Sequence, residues 1–465
     1  MKKILEITAE QFLKSGISGH EYSSEGGLFY AGAGCDPFTI PGLLQGGYSA
    51  SELGAGTIAE TILHFVQGLG GSSFATMYGE DGGFYRLNLA TDAISSLYTA
   101  PSSQGQDALL YKSEVYYSRN STLSKTSNID GDPDFGTSVD YKQFDNDIAN
   151  HPLHVFQGIL FAGDKDHLTS EDASGNYTIT ALQLPTDETI VDIDDDGYYL
   201  VIVTIKKGGT SHSSVINKFY FWDIVSQNWN IEWVVREGEV TAVSKYGSGR
   251  QLVAFMGSAG IQVFSYDQSP QALLPGHSSS LSAFQSDNLK PARGGVGRWR
   301  SQLAFAANGR LQTYGKVLGR TPNIFAIPIA LTGIKAFYVN NFDAIYASAT
   351  DDNLYKLSSG NSNPVLETSI IPLNHLYHIK GLKVFTGDAL GASTSVQVQV
   401  TGDALGTTVI DETFNSTNSG LVNRRFWRNV NLKTEFARIL ITLTGGSNFR
   451  KLELWGDPLN VVNIP

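Results

Sequence analysis

Residues 74–89 have the sequence FATMYGEDGGFYRLNL, and this stretch carries the fold prediction. A short apolar strand, Phe74 to Tyr78, is followed by a glycine-rich polar turn and then by a second, aromatic-containing strand, Phe84 to Leu89. Most of the chain alternates with period two in the same way and is interrupted by Gly, Asn, Asp and Ser, which is typical of short strands joined by turns. The stretch predicts a β-hairpin, and its recurrence predicts the architecture.

The unit occurs seven times along the chain. Its first strands contain apolar anchor residues spaced by 40, 44, 40, 53, 51 and 41 residues, namely Met77, Tyr117, Phe161, Val201, Ala254, Phe305 and Tyr346. A period of about 40 to 50 residues with four short strands per unit is typical of β-propellers. A small sheet cannot shield both of its faces alone, whereas sheets stacked around an axis bury them against one another. The sequence predicts a β-propeller of about seven blades; an irregular β-sandwich with accidental spacing is the alternative.

The flanks of this repeat have different compositions, which divides the chain into three parts. Residues 1–56 are rich in Gly, Pro and aromatic residues and predict an extended arm that packs on its own domain or on a neighbouring molecule. Short helices are expected near residues 9–14 and 59–67. Residues 57–365 form the predicted propeller, and residues 366–465, with longer alternating strands, predict a β-sandwich.

Composition excludes several functions. The formal net charge of -12 argues against general affinity for nucleic acids. The single cysteine, Cys35, rules out a disulfide within the chain and a cysteine-based zinc site, and it fits folding in the cytoplasm. Glu6 and Glu10 interrupt any signal-peptide core, and the longest apolar run, 324–331, is too short to span a membrane.

Few residues form patterns typical of a chemical site. Asp192, Asp194 and Asp196 match the start of a calcium loop, but the twelfth position is Val203 instead of glutamate, so an acidic hairpin turn is the interpretation. A loose surface calcium site stays open. The nine histidines show no metal spacing, and no hydrolase or phosphate-loop motif occurs. We therefore predict no catalytic residues, no bound metal and no cofactor.

Charge is segregated along the chain. From Asn128 to Asp196 there are sixteen acidic residues against two lysines, and from Asn288 to Asn341 there are eight basic residues and no acid. In a seven-bladed disc these stretches cover blades two to four and blade six, on opposite edges. Opposite edges of opposite sign favour head-to-tail contact between identical subunits, which closes into a ring. A solvated surface without a partner is the alternative, and the Arg298-Trp299-Arg300 stretch could instead contact DNA phosphates.

The candidate subunit-interface residues are the charged side chains of these two stretches. The basic set is Arg293, Arg298, Arg300, Arg310, Lys316 and Arg320. The acidic set is Asp130, Asp132, Asp134, Asp192, Asp194, Asp195 and Asp196. Another basic run, 424–428 (RRFWR), is interpreted as a strand edge or a partner contact.

A glycine-rich aromatic arm, a propeller and a C-terminal sandwich that ends in Phe449-Arg450-Lys451-Leu452-Glu453-Leu454-Trp455 resemble the β-propeller virion proteins of tailed bacteriophages, among them tail-nozzle and hub-type proteins. The resemblance is architectural and spans most of the chain. It implies a non-enzymatic ring component of the virion tail, assembled in the host cytoplasm from copies of itself and neighbouring tail proteins. DNA would pass through the ring without tight binding, and neither a membrane nor a small-molecule substrate would be a partner.

Two other functions stay open at this point. One is a propeller that binds or hydrolyses glycans, because propellers can hold a pair of catalytic carboxylates and this chain has many aspartates. The other is a cytoplasmic interaction scaffold. A secreted glycan enzyme would be expected to carry a signal peptide, and a scaffold would not need the glycine-rich arm.

Overall fold

The chain is an all-β protein, a β-propeller followed by a β-sandwich. Its described residues form seven four-stranded sheets, one eight-stranded sheet and one three-stranded sheet, all antiparallel. The predicted fold class is confirmed. The computed structural model describes residues 1–16, 29–36, 40, 42–67, 73–99, 104–127, 140–207, 215–235, 239–246, 251–255, 261–264, 270–274, 293–299, 302–307, 310–315, 323–326, 331, 333–340, 344–359, 363–403, 408–417 and 424–459.

The N-terminal region supplies strands to both domains. Its described elements are β1 (Lys2–Thr8), α1 (Ala9–Ser15), β2 (Phe29–Ala33), β3 (Cys35–Asp36), β4 (Leu44–Gly46) and β5 (Tyr48–Leu53). Helix α1 begins with a capping box, in which Thr8 and Gln11 satisfy each other's backbone N–H groups. This helix confirms the prediction for residues 9–14.

Blades 1 to 6 follow one another along the chain, each from its innermost to its outermost strand. Blade 1 contains β6 (Ile62–Gln67), β7 (Phe74–Gly79), β8 (Phe84–Asn88) and β9 (Ile94–Tyr98). Blade 2 contains β10 (Gly105–Tyr111), β11 (Glu114–Arg119), β12 (Thr122–Ser127) and β13 (Asp140–Gln143). Blade 3 contains β14 (Leu153–Phe156), β15 (Ile159–Asp164), β16 (His167–Glu171) and β17 (Tyr177–Gln183).

The next three blades repeat this order. Blade 4 contains β18 (Thr189–Asp195), β19 (Leu200–Lys207), β20 (Val215–Trp222) and β21 (Ile231–Val235). Blade 5 contains β22 (Ala242–Tyr246), β23 (Gln251–Phe255), β24 (Ile261–Phe264) and β25 (Pro270–Leu274). Blade 6, preceded by a 3-10 turn at Arg293–Gly295, contains β26 (Val296–Trp299), β27 (Gln302–Ala307), β28 (Arg310–Gly315) and β29 (Asn323–Ala326).

Blade 7 closes the ring with a strand from the other end of the chain. Its first three strands are β30 (Ile334–Val339), β31 (Ile345–Ala349) and β32 (Leu354–Ser359). Its outermost strand is β5, whose Tyr48 pairs with Ser359 and whose Leu53 pairs with Leu354. The innermost strands of blades 7 and 1 lie side by side, so the sheets surround one axis without an open end.

All seven anchor residues lie on the second strand of a blade, one per blade, and all are buried. The second strand lies inside its sheet and is covered on both faces by neighbouring blades. It therefore has an almost continuous apolar sequence instead of a half-polar one, as Val201 to Val203 show in blade 4. This burial explains why the repeat was visible despite weak similarity between the units.

The sandwich combines C-terminal strands with four from the N-terminus, β1 to β4. Its C-terminal strands are β33 (Val365–Thr368), β34 (Ile371–Phe385), β35 (Ser395–Thr401), β36 (Thr408–Phe414), β37 (Arg425–Thr444), β38 (Asn448–Phe449) and β39 (Lys451–Pro458). The first part of β37 pairs with β34 and its second part with β33 and β35, so one strand serves both layers. Val384, Val398 and Ile441 are buried in the shared core.

Two local predictions are corrected. In its described parts, the stretch 1–56 is not a separate extended arm: β1 pairs with β39, β2 with β33, β4 with β38 and β5 with β32. The segment predicted as a helix at residues 59–67 instead contains the innermost strand β6. Its alternate residues Ile62, His64 and Val66 are buried, and a period of two fits a strand better than a helix.

Candidate functional site

The innermost strand of each blade is one edge of its sheet. The backbone N–H and C=O groups on its axis side are not paired within the blade, so they need other partners. In blades 1, 2, 4 and 7 this strand has a register shift near its start, between Ile62 and His64, Gly105 and Asp107, Ile190 and Asp192, and Ile334 and Ala336. A β-bulge changes the direction in which a side chain points and leaves a backbone group unpaired. In blades 1, 2 and 4, side chains at these shifts, His64, Asp107 and Asp192, contact the next blade.

Asp107 shows the arrangement most clearly. Its Oδ2 accepts a hydrogen bond from the backbone N–H of Leu153, on the innermost strand of blade 3, at 2.7 Å. Its Oδ1 accepts from the backbone N–H of Ala108 at 2.8 Å and lies 3.4 Å from Nδ1 of His64 in blade 1. This buried carboxylate thus joins three consecutive blades near the axis.

Asp192 and Asp194 of blade 4 likewise accept hydrogen bonds from backbone N–H groups of blade 5. Asp192 Oδ2 accepts from the N–H of Val243 at 2.8 Å, and Asp194 Oδ2 accepts from the N–H of Lys245 at 3.0 Å. Alternate residues of β18 therefore direct their carboxylates toward the edge of β22. The hairpin-turn interpretation holds for Asp196, whose Oδ1 accepts from the N–H groups of Tyr198 and Tyr199.

Serine side chains add contacts between blades at two junctions, that of blades 2 and 3 and that of blades 7 and 1. Ser118 Oγ in blade 2 donates to the carbonyl of His151 at 2.8 Å, just before the innermost strand of blade 3. Ser348 Oγ in blade 7 donates to the carbonyl of Ile62 in blade 1 at 2.7 Å. Ser118 pairs with Asp107 and Ser348 with Ala336, which are matching positions in their blades. The second of these bonds crosses the junction at which the ring closes.

Three innermost strands bring charged side chains together near the axis. Asp195 of blade 4 lies 3.3 Å from Nε2 of His154 in blade 3 and 2.9 Å from Nζ of Lys245 in blade 5. Burial alone would raise the pKa of Asp195, but the hydrogen bonds from His154 and Lys245 outweigh it and lower the pKa to about 2. The carboxylate therefore forms an ion pair with Lys245 of the next blade and a hydrogen bond with His154 of the preceding one.

The lowered pKa of Asp195 makes this contact dependent on pH. Because its folded-state pKa lies below the unfolded value, its stabilisation is present above about pH 4 and is lost as the pH falls toward 2. We expect Asp195→Asn to be less stable than the unchanged protein by about 2 kcal/mol near pH 6, with the difference vanishing near pH 2. Thermal unfolding followed from pH 2 to 6 measures this. Glu80→Gln, at an exposed position, is the control; an Asp195→Asn difference that does not vary with pH would contradict the assignment.

The interface residues were expected on two opposite edges; most of those that the structure describes lie on or next to innermost strands. Asp192 and Asp196 are buried and bind backbone amides, so neither presents a free carboxylate to a neighbouring subunit. Asp194 and Asp195 are half-buried, and Arg298 is exposed but belongs to the innermost strand β26, not to the outer rim. Arg293 and Arg310 are described in their backbone alone. Outside the described residues lie Asp130, Asp132, Asp134, Arg300, Lys316 and Arg320.

Much of the acidic stretch is inside the protein. Asp164, Glu171 and Glu188 are buried together with Asp192 and Asp196. Glu171 accepts from Lys112 Nζ at 3.1 Å and from Tyr116 OH at 3.0 Å. The acidic edge predicted from charge counts is therefore weaker than the sequence indicates, because these carboxylates hold neighbouring strands and blades together.

The outer rim of blades 3 and 4 has a different character. Their outermost strands, β17 and β21, expose apolar side chains: Ile179 is 51% exposed and Val234 is 48% exposed. Val225, in the hairpin that leads into β21, is 86% exposed. Among the described residues no strand pairs with the outer edge of β17 or β21, and apolar side chains on such an edge favour pairing with another molecule. Charge counts could not reveal this surface.

The sandwich contains a cleft of about 750 Å³. Arg424, Arg425 and Arg450 line it together with Lys451 and Glu10. Arg424 and Arg425 belong to the basic run 424–428, which was predicted to be a strand edge or a partner contact. The structure places them in a cleft of net positive charge, and such a cleft is suited to an anionic group.

No helix among the described residues is long and apolar enough to cross a membrane.

Comparison with known proteins supports the fold class. No family model matches the sequence, and no curated protein matches it. A solved structure titled streptogramin B lyase is similar with a TM-score of 0.50 and 9% identity, covering 67% of this chain and 98% of that chain. At this identity the likeness shows the fold alone: a β-propeller.

Two further solved structures are less similar. The WD40 β-propeller domain of Doa1 has a TM-score of 0.44 and 10% identity, covering 67% of this chain and 97% of that chain. The computationally designed Ika8 protein has a TM-score of 0.42 and 11% identity, covering 66% of this chain and 98% of that chain.

Proposed function

We propose that the protein is a non-enzymatic structural component of a phage virion, which forms a homomeric ring in the tail and also contacts neighbouring tail proteins. The observation that carries the proposal is the exposure of apolar side chains, Ile179 and Val234, on the outermost strands of blades 3 and 4. A free strand edge with exposed apolar residues is a surface that natural monomers avoid. A second copy of this chain is the proposed occupant.

The order of the blades supports a copy as that occupant. Blade 6 lies three blades from blade 3 around the ring, so these two rims point in roughly opposite directions. Such head-to-tail contacts close into a ring when the rotation between subunits permits it. Blade 6 lies in a stretch with eight basic residues and no acid, whereas the outermost strand of blade 4 carries the exposed side chain of Glu232. Charge would orient the subunits, and apolar contact would supply most of the affinity.

The charge of the protein also fits passage of DNA through the ring. A net charge of -12 disfavours strong phosphate binding, and tightly bound phosphates would slow the movement of DNA. The proposed ring therefore surrounds DNA without gripping it.

Placing charge on the apolar rim tests the assembly. We expect the double variant Ile179→Lys, Val234→Lys to weaken self-association by at least about 100-fold, since two apolar contacts of roughly 1.4 kcal/mol each are replaced by charges. Mass photometry and negative-stain microscopy over a range of protein concentrations measure the effect. The matched control is Ser49→Lys, Ser96→Lys, which adds the same charge to exposed positions on the outermost strands of blades 7 and 1.

The control variant should assemble like the unchanged protein. Assembly of the Ile179/Val234 variant at unchanged concentration would remove this rim from the proposal. A protein that stays monomeric at every concentration, and binds on a glycan array instead, would favour a glycan-binding function over the structural one.

A further inference from the structure

Two aspartates and one histidine meet where blade 2 passes into blade 3. Asp164 ends β15 and His167 begins β16, and Asp145 lies in the connection from β13 to β14. We propose that Asp145, Asp164 and His167 bind a divalent transition-metal cation, for which Zn²⁺ is the best match. This inference is independent of the assembly proposal, because a monomer has all three side chains.

The distances between the ligand atoms suit one ion. Nε2 of His167 lies 3.4 Å from Oδ2 of Asp164 and 3.9 Å from Oδ2 of Asp145. The three ligand atoms all lie within 4.8 Å of one another. Two ligand atoms that are each about 2.0 to 2.1 Å from a tetrahedral Zn²⁺ are about 3.3 Å apart. Small side-chain movements at Asp145 are therefore enough to complete the site.

His167 has the features of a metal ligand. The residue is only 6% exposed, and its buried Nε2 makes no hydrogen bond with any described residue. Nδ1 lies 3.2 Å from Oδ1 of Asp166, so the N–H on that nitrogen can donate to the carboxylate. This bond leaves the lone pair on Nε2, directed toward Asp164 and Asp145. Histidine ligands are commonly oriented in this way by a carboxylate behind the ring.

Asp164 has a negative charge that needs a cation. It is fully buried, and its oxygens accept hydrogen bonds from the backbone N–H groups of Asp145 at 2.7 Å and Asn146 at 3.2 Å. Among the described residues, the basic side chains near its oxygens are two histidines, His151 and His167, and no lysine or arginine. Buried carboxylates are normally paired or bound to a metal. A divalent cation would neutralise this carboxylate and that of Asp145 together.

The surroundings also give the ion a path. The side chain of Asp145 is 60% exposed, so the site opens to solvent on that side and water can fill the remaining coordination positions. The other acid–histidine group, His154 with Asp194 and Asp195, differs because Lys245 Nζ already lies 2.9 Å from Asp195. We therefore assign the metal to blade 3 alone.

Zinc binding by the whole chain tests the proposal. After removal of metal with a chelator, isothermal titration with ZnCl₂ should show one ion per chain. Asp145→Asn, at an exposed position that leaves the fold intact, should weaken binding by at least about tenfold, and His167→Gln should abolish it. Asp166→Asn, which changes only the orienting carboxylate, should weaken it by about 10- to 100-fold. The controls Asp147→Asn and His154→Gln should bind as the unchanged protein does.

X-ray absorption of the zinc-loaded protein gives a readout that does not depend on affinity. One imidazole nitrogen and otherwise oxygen neighbours at about 2.0 to 2.2 Å are expected. Absence of binding by the unchanged protein would overturn the proposal, and so would affinities that are equal in Asp145→Asn and the controls. Should His167→Gln fail to fold, as judged by circular dichroism, the comparison of Asp145→Asn with Asp147→Asn decides the matter alone.

Discussion

Removal of residues 1–54 is expected to abolish the cooperative folding of the propeller. The deletion takes away β5, the outermost strand of blade 7, and exposes the whole edge of β32. Loss of about six ladder hydrogen bonds at roughly 1 kcal/mol each, together with the buried side chain of Tyr48 at about 2 kcal/mol, approaches the entire stability of a typical domain. Tyr48 also packs edge-to-face on the buried Trp299 of blade 6, with ring centroids 6.1 Å apart.

A shorter deletion provides the matched control. Removal of residues 1–47 takes away β1 to β4, which pair within the sandwich, as the longer deletion does. It differs in keeping β5 on blade 7. Only the longer deletion should eliminate the propeller's thermal transition, as measured by calorimetry. If both deletion variants aggregate, Tyr48→Ala in the full chain tests the ring closure instead. This substitution is expected to lower the free energy of unfolding by about 3 kcal/mol. Identical propeller transitions for the two deletions would show that β5 does not close the ring.

The second large effect is expected from the carboxylates between innermost strands. Asp107→Ala leaves the N–H groups of Leu153 and Ala108 without their acceptor, and Asp192→Ala does the same to Val243 and Ile193. In each variant the free energy of unfolding should fall by about 2 to 4 kcal/mol, because a buried backbone donor without a partner carries its full desolvation cost. Hydrogen exchange followed by mass spectrometry should show faster exchange at Leu153 and Val243, respectively.

These two variants also predict how the sites combine. Asp107 joins blades 1 to 3 and Asp192 joins blades 4 and 5, and they share no partner among the described residues, so the losses should add within about 0.5 kcal/mol. Asp187→Ala is the control, since among the described residues this exposed acid forms its one ion pair with Lys206, so the change should alter stability by less than about 1 kcal/mol. An exchange rate at Val243 that Asp192→Ala leaves unchanged would contradict the assigned role.

The carboxylates thus have a structural role that their sequence pattern did not indicate. Asp192 and Asp194 resemble the beginning of a calcium loop, yet each satisfies an amide of the next blade. A propeller leaves one sheet edge per blade facing its axis, and buried amides there need acceptors. In blades 2 and 4 aspartates supply them. Of the acids counted between Asn128 and Asp196, at least Asp164, Glu171, Glu188, Asp192 and Asp196 are buried and do not add to the surface charge.

The proposed zinc site shows a similar limit of sequence reasoning. Asp164 and His167 flank a two-residue turn, and a D-x-x-H sequence in a hairpin was the one signal available. The third ligand, Asp145, is nineteen positions before Asp164 and approaches it through the connection between blades, where its own N–H binds that carboxylate. A search for histidine pairs at helical spacing could not find a site with a single histidine.

The sequence by itself predicted the propeller, about seven blades and one apolar anchor strand in each. It could do so because burial imposes a local pattern: Val201 and Phe305 are apolar where neighbouring blades cover them, whatever those neighbours are. Only the tertiary structure decided that Tyr48–Leu53 completes blade 7 and that Asp192 faces an amide instead of solvent. The physical reason is that hydrophobic periodicity records how much a residue is buried, whereas the identity of a distant partner leaves no mark on the neighbouring sequence.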